Sequence, residues 1–123
     1  MMRKSAAILL ALGLCAAAFA AEPIAPEEVR AAQQDWGDAI VAIGRTYAAG
    51  GNYRGLAAQA VDVLYAYDLG PVLFKPTKAA ELEFRDTEEE AVSYFVGGVV
   101  PEDHGFALQP WSAVRFGEQQ ISA

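Results

Sequence analysis

The chain has 123 residues, the size of one domain, and carries sixteen acidic side chains against nine basic ones, a net charge of −7. Apart from the run at Asp86–Glu90 its acids are scattered, and its bases are unclustered, which argues against nucleic acid as a partner, because phosphate recognition needs grouped Lys and Arg. With one cysteine and one histidine in the whole chain, there is no disulfide framework and no ligand spacing for zinc or iron, and no cofactor is expected.

The N-terminus reads as a secretory signal. Arg3 and Lys4 form a basic start, Ala6 to Ala18 an apolar stretch, and Ala18-Phe19-Ala20 fits small-x-small cleavage. The apolar stretch falls short of the ~18–20 residues that cross a bilayer, so no stable membrane span is expected. Cys15 is preceded by Leu14 where a lipidated cysteine wants a small residue. The expectation is an exported protein, periplasmic or secreted, cleaved near Ala20. A short leader over 21–26 then precedes a single domain over 27–123.

From Glu27 the apolar positions Val29, Ala32, Trp36, Ile40, Ile43 and Tyr47 recur at steps of three and four, one face of a helix of about 20 residues. Glu27 and Glu28 suit its first turn, and Gly50-Gly51 ends it. Asn52 can cap a second helix with Tyr53, Leu56, Ala60, Leu64 and Tyr67 on one stripe, broken by Asp68-Leu69-Gly70-Pro71. Val72 to Lys75 then reads as a short strand. Ala80 to Arg85 reads as a second, with apolar Ala80, Leu82 and Phe84 alternating with charged Glu81, Glu83 and Arg85 on a wet face. Thr87-Glu88-Glu89-Glu90 is a capping box opening a third helix from Glu88 to about Val96, which ends at Gly97-Gly98. Gly105 to Leu108 and Ser112 to Phe116 read as strands around Pro110.

Large rings crowd the stretch from Leu64 to Phe116, a density that suggests a pocket wall more than a plain core. Two helices on a curved sheet, with a third short helix between strands, describe the nuclear transport factor 2-like cone, the fold of ketosteroid isomerases and SnoaL-like cyclases. The segments Tyr65 to Thr77, Tyr94 to Gly98 and Glu102 to Phe116 resemble exported bacterial proteins of that superfamily with no assigned role. The resemblance implies an α+β domain with helices packed on a curved, mostly antiparallel sheet. That fold normally continues with further long strands, so a C-terminally truncated domain is expected here. Fold alone names no chemistry.

Several side chains could carry function. Asp68, desolvated by Tyr65, Tyr67 and Phe74, could act as a general base, with Tyr65 or Tyr67 donating to an oxyanion; otherwise it is a turn aspartate. His104 has the one side chain that ordinarily titrates near neutrality, on a segment that also reads as an exposed turn. Lys75 could hold an anion or pair with a surface acid. Tyr94 is placed on an inward face, and Trp111 and Arg115 would share a strand face, where guanidinium stacks on indole. The favoured reading is a non-enzymatic exported domain whose pocket, lined by Tyr67, Phe74, Lys75, Tyr94, Trp111 and Arg115, binds a small, largely apolar ligand or a protein partner. Two alternatives stand beside it. One is a cofactor-independent isomerase, lyase or cyclase using Asp68, Tyr65 and His104; the other is a structural module whose aromatics form a homodimer contact.

Overall fold

A computed structural model describes residues 23–120. The expected signal peptide and its cleavage site lie outside the described residues.

Three helices organise the chain. Helix α1 spans Pro26–Ala48, with Pro26 at its start, Glu27 and Glu28 in the first turn and Arg45 in the last, all matched to the helix dipole. It stops at Ala49, and Gly50 turns the chain with φ 74°. Helix α2 spans Tyr53–Leu64, capped by the Asn52 side chain, which accepts from the Gly55 amide at 3.0 Å. Tyr67, expected on its stripe, lies instead in a 3-10 turn over Tyr67–Leu69. Helix α3 spans Glu88–Val96, where the Thr87 hydroxyl accepts from the Glu90 amide at 3.2 Å. It is short, yet Ala91, Ser93, Tyr94, Phe95 and Val96 are all buried, because α1, α2 and a second 3-10 turn over Phe106–Leu108 close around it.

The expected curved sheet is corrected by the structure: among the described residues there is no strand. A period of two shows only that a segment could pair; a strand also needs a partner ladder. Val72–Lys75 and Ala80–Arg85 run near one another but share one backbone bond, Arg85 N–H to Phe74 C=O at 2.8 Å. The amides of Ala80, Glu81 and Leu82 are taken by the Glu102 carboxylate instead. Phe106–Leu108 is a 3-10 turn, and the 112–116 segment is irregular, has no ladder and lies on α1. A Cβ added at Gly37 of α1 would sit 3.1 Å from Val114 Cβ, so that approach depends on glycine.

The aromatic stretch builds a core. Phe95 is at its centre, stacked on Phe74 (5.9 Å, 14° between planes) and edged by Trp36 at 6.3 Å and Tyr94 at 5.3 Å. Tyr65 packs 4.8 Å from Phe74, and its hydroxyl accepts from Trp36 Nε1 at 3.0 Å. The free space left between α1, α2 and Phe95 is about 10 Å3, barely the room one water needs. For Trp36, Tyr65, Phe74 and Phe95 the pocket-wall reading is therefore replaced by ring-on-ring packing.

Candidate active site

Chemistry-bearing side chains gather at a cleft of about 290 Å3 lined by Lys78, Tyr94, Glu102, Asp103, His104, Gly105, Phe106 and Gln109. Larger furrows exist, one of about 870 Å3 along α1 and the 114–119 segment. Those are open surface grooves, and neither Tyr94 nor His104 lines that one.

Each wall of the cleft is held for a local reason. Tyr94 faces it from α3, with its ring stacked on Phe106 at 5.4 Å and 20°. Burial raises the Tyr94 phenol above its ordinary value, partly opposed by the Lys78 amide and the Arg85 charge. His104 lies between two fixed neighbours. Asp103 is locked below it, and Gly105 adopts φ 85°, a left-handed conformation that favours glycine. The imidazole itself is exposed.

Beneath the cleft lies an ionic network. Arg85, expected on a wet strand face, is fully buried, at 0% exposure. Its guanidinium grips Asp103 bidentately, with Nη1 to Oδ2 at 2.6 Å and Nη2 to Oδ1 at 2.7 Å. It also donates to the carbonyls of Leu82 and Glu90, each at 3.0 Å. Its carbon lies 5.7 Å from the Tyr94 ring centre. Asp103 holds the guanidinium firmly charged, raising its already high pKa. The Ser93 hydroxyl donates to Asp103 Oδ2 at 2.6 Å and accepts from the Val99 and Val100 amides. The Glu102 carboxylate accepts three backbone amides at 2.7–2.8 Å, and the Ala80 amide leads in holding its carboxyl below the ordinary range.

The other residues singled out from the sequence are placed apart from this cleft. Asp68 is exposed on its 3-10 turn, in an acidic groove with Asp86, Glu88 and Glu89. Tyr65 and Phe74 belong to the ring core, and the Tyr67 hydroxyl donates to the Arg85 carbonyl at 2.6 Å. Burial, ahead of the Tyr65 and Glu90 fields, pushes the Tyr67 phenol up to about 12. Lys75 is an exposed partner of Glu83 at 3.9 Å. Trp111 and Arg115 do not share a face: Trp111 packs on Phe106 and donates to its carbonyl at 2.8 Å, while Arg115 lines the α1 furrow. Sequence reasoning missed Arg85, Ser93, Glu102 and Lys78. A charge inside an apolar alternation looks like a wet face, and nothing local signals its distant partner. Among the described residues no three His, Cys, Asp or Glu gather as a metal site.

The profile of the metal-independent carbonic anhydrase family matches residues 27–123. The chain belongs to that family. A relative from Nostoc sp. (strain PCC 7120), a metal-independent carbonic anhydrase, is 49% identical over 97 residues, covering 75% of this chain and 47% of its own length. The crystal structure of a cyanobacterial iota-carbonic anhydrase complexed with bicarbonate matches with TM-score 0.65 and 48% identity, covering 70% of this chain and 56% of that one. The chain thus spans about half the length of these carbonic anhydrases.

Membership in an enzyme family corrects three expectations. The family is that of metal-independent carbonic anhydrases, not a nuclear transport factor 2-like or SnoaL-like branch of unassigned role. The reading of a binding domain without catalysis falls, and so does the preference against an enzyme. Where a small, largely apolar ligand was expected, the solved relative holds bicarbonate, a small anion. No helix among the described residues is long and apolar enough to cross a membrane.

Proposed function

We propose that the Tyr94–His104 cleft is where this chain takes part in interconverting carbon dioxide and bicarbonate. The observation that carries this reading is that the only histidine of an anhydrase-family chain lines one cleft with a buried tyrosine, a lysine and a glutamine.

Hydration joins a water oxygen to the carbon of carbon dioxide, opens one C=O bond to an oxyanion and releases one proton. In this reading His104 takes the proton of the attacking water and passes it to solvent, a task suited to an exposed imidazole. The negative charge gathering on the bicarbonate oxygens needs fixed donors. The Tyr94 hydroxyl, kept protonated by its raised pKa, the Gln109 amide and the Lys78 ammonium line the same space. The Tyr94 and Phe106 rings, stacked on each other, both line the cleft and give it an apolar wall for uncharged carbon dioxide.

Bicarbonate titration tests the binding half of this proposal. The single histidine yields one Cε1–H signal in proton–carbon NMR. The expected result is a saturable shift of that signal with bicarbonate, weakened in Tyr94→Phe. A His104 signal indifferent to bicarbonate contradicts the proposal.

A further inference from the structure

We propose that Arg85 is a positioning residue for this cleft: one buried guanidinium, gripping Asp103 and lying against the Tyr94 ring, sets the spacing between Tyr94 and His104. The inference rests on the reading of the cleft as the reaction site.

Three segments that form or flank the cleft converge on this side chain. Nε donates to the Leu82 carbonyl, in the loop that follows Lys78. Nη1 donates to the Glu90 carbonyl in the first turn of α3, the helix that presents Tyr94. Nη1 and Nη2 together hold both oxygens of Asp103, the residue next to His104. Glu102, one residue earlier, ties the Ala80–Leu82 amides to the same loop and lies 4.0 Å from Nη2. Each segment alone is irregular or short, and no sheet ladder fixes their separation. The guanidinium fork does so, because its planar donors accept only one arrangement of carboxylate and carbonyls.

Stability alone gives a weak reason for this arrangement. Apolar side chains of similar volume often replace a buried ion pair at no loss, because desolvation offsets most of the attraction. What apolar packing cannot reproduce is direction. A carboxylate held at both oxygens, with Ser93 as a third donor, leaves the following residue little freedom.

The test uses Arg85→Lys and Ser93→Ala in the full chain, with stopped-flow carbon dioxide hydration and the His104 NMR signal as separate readouts. Arg85→Lys keeps the charge and loses the fork. It is expected to lower kcat about 10- to 100-fold, the scale of a misplaced group, with KM changed about threefold or less, and to move or broaden the His104 signal. Ser93→Ala leaves the Arg85–Asp103 pair in place and covers the case in which Arg85→Lys does not fold; a smaller change in the same direction is expected. Wild-type kcat with an unmoved His104 signal in a folded Arg85→Lys, or in Ser93→Ala if Arg85→Lys does not fold, overturns the proposal. If the wild-type chain itself shows no hydration, the assignment of function fails. The His104 signal of the variants still decides whether Arg85 positions that residue.

Discussion

Arg85→Met removes the guanidinium and leaves Asp103, 2% exposed at its side chain, as a buried carboxylate with only the Ser93 hydroxyl donating to it. Breaking a buried pair from one side costs about 3–5 kcal/mol, since the remaining charge has neither water nor partner. Against a total stability of about 5–15 kcal/mol for a domain, that is a severe loss. Removing both charges has a different outcome. In Arg85→Met/Asp103→Leu no charge is stranded; the Leu82 and Glu90 carbonyls lose donors and Ser93 loses its acceptor. At about 1 kcal/mol for each lost bond, the double variant should fall about 1–3 kcal/mol below wild type, and so above the single variant. Urea melts followed by far-UV circular dichroism measure both, read as midpoint shifts at constant slope. A single variant that loses less than about 1 kcal/mol, or a double variant less stable than the single, refutes the view of Asp103 as a charge dependent on Arg85.

Further outcomes follow from other contacts. Thr87→Ala should cost about 0.5–2 kcal/mol in the same melts, because the Glu90 amide loses its acceptor. Gly44→Ala should destabilise by about 1–3 kcal/mol, since a Cβ there would meet the Ala107 carbonyl at 2.8 Å and backbone must shift. The depressed Glu102 carboxyl contributes stability that is present above the unfolded value near 4.5 and lost as pH falls through the lower folded value. Urea midpoints should therefore drop more steeply on acidification in wild type than in Glu102→Gln. The Tyr67 phenol has the opposite sign: its stabilising effect is full below the unfolded value of 10.0 and lost as pH climbs towards about 12. Tyr67→Phe should delete one late-ionising phenol from the alkaline absorbance titration. N-terminal sequencing of exported material should find Ala21 first, and an intact Met1 contradicts the reading of the signal.

The three helices were legible because their evidence is local. Steps of three and four, Asn52 before α2 and Thr87 before α3 each state a helix within a few residues, and the structure has helices there. The sheet was misread because alternation over Ala80–Arg85 is local and a ladder is not. Glu102, some twenty residues away, occupies the amides that a neighbouring strand would have used. Arg85 was misread for the same reason. Its charge pointed to solvent until Asp103 was seen to hold it, and that partnership spans eighteen residues of chain. His104 and Tyr94 were both singled out from residue type. Their shared cleft depends on the loop from Gly97 to Gly105 folding back over α3, which no periodicity encodes. The ring-rich segments marked where side chains would be buried, and left open whether rings would line a space or fill it.

The most direct measurement is stopped-flow carbon dioxide hydration with the wild-type chain and His104→Ala side by side. If His104 receives the proton of the attacking water, the wild type accelerates hydration above buffer, and His104→Ala loses about a hundredfold to ten-thousandfold of that acceleration with its melting curve unchanged. A wild type no faster than buffer, or a His104→Ala variant as fast as wild type, contradicts the account.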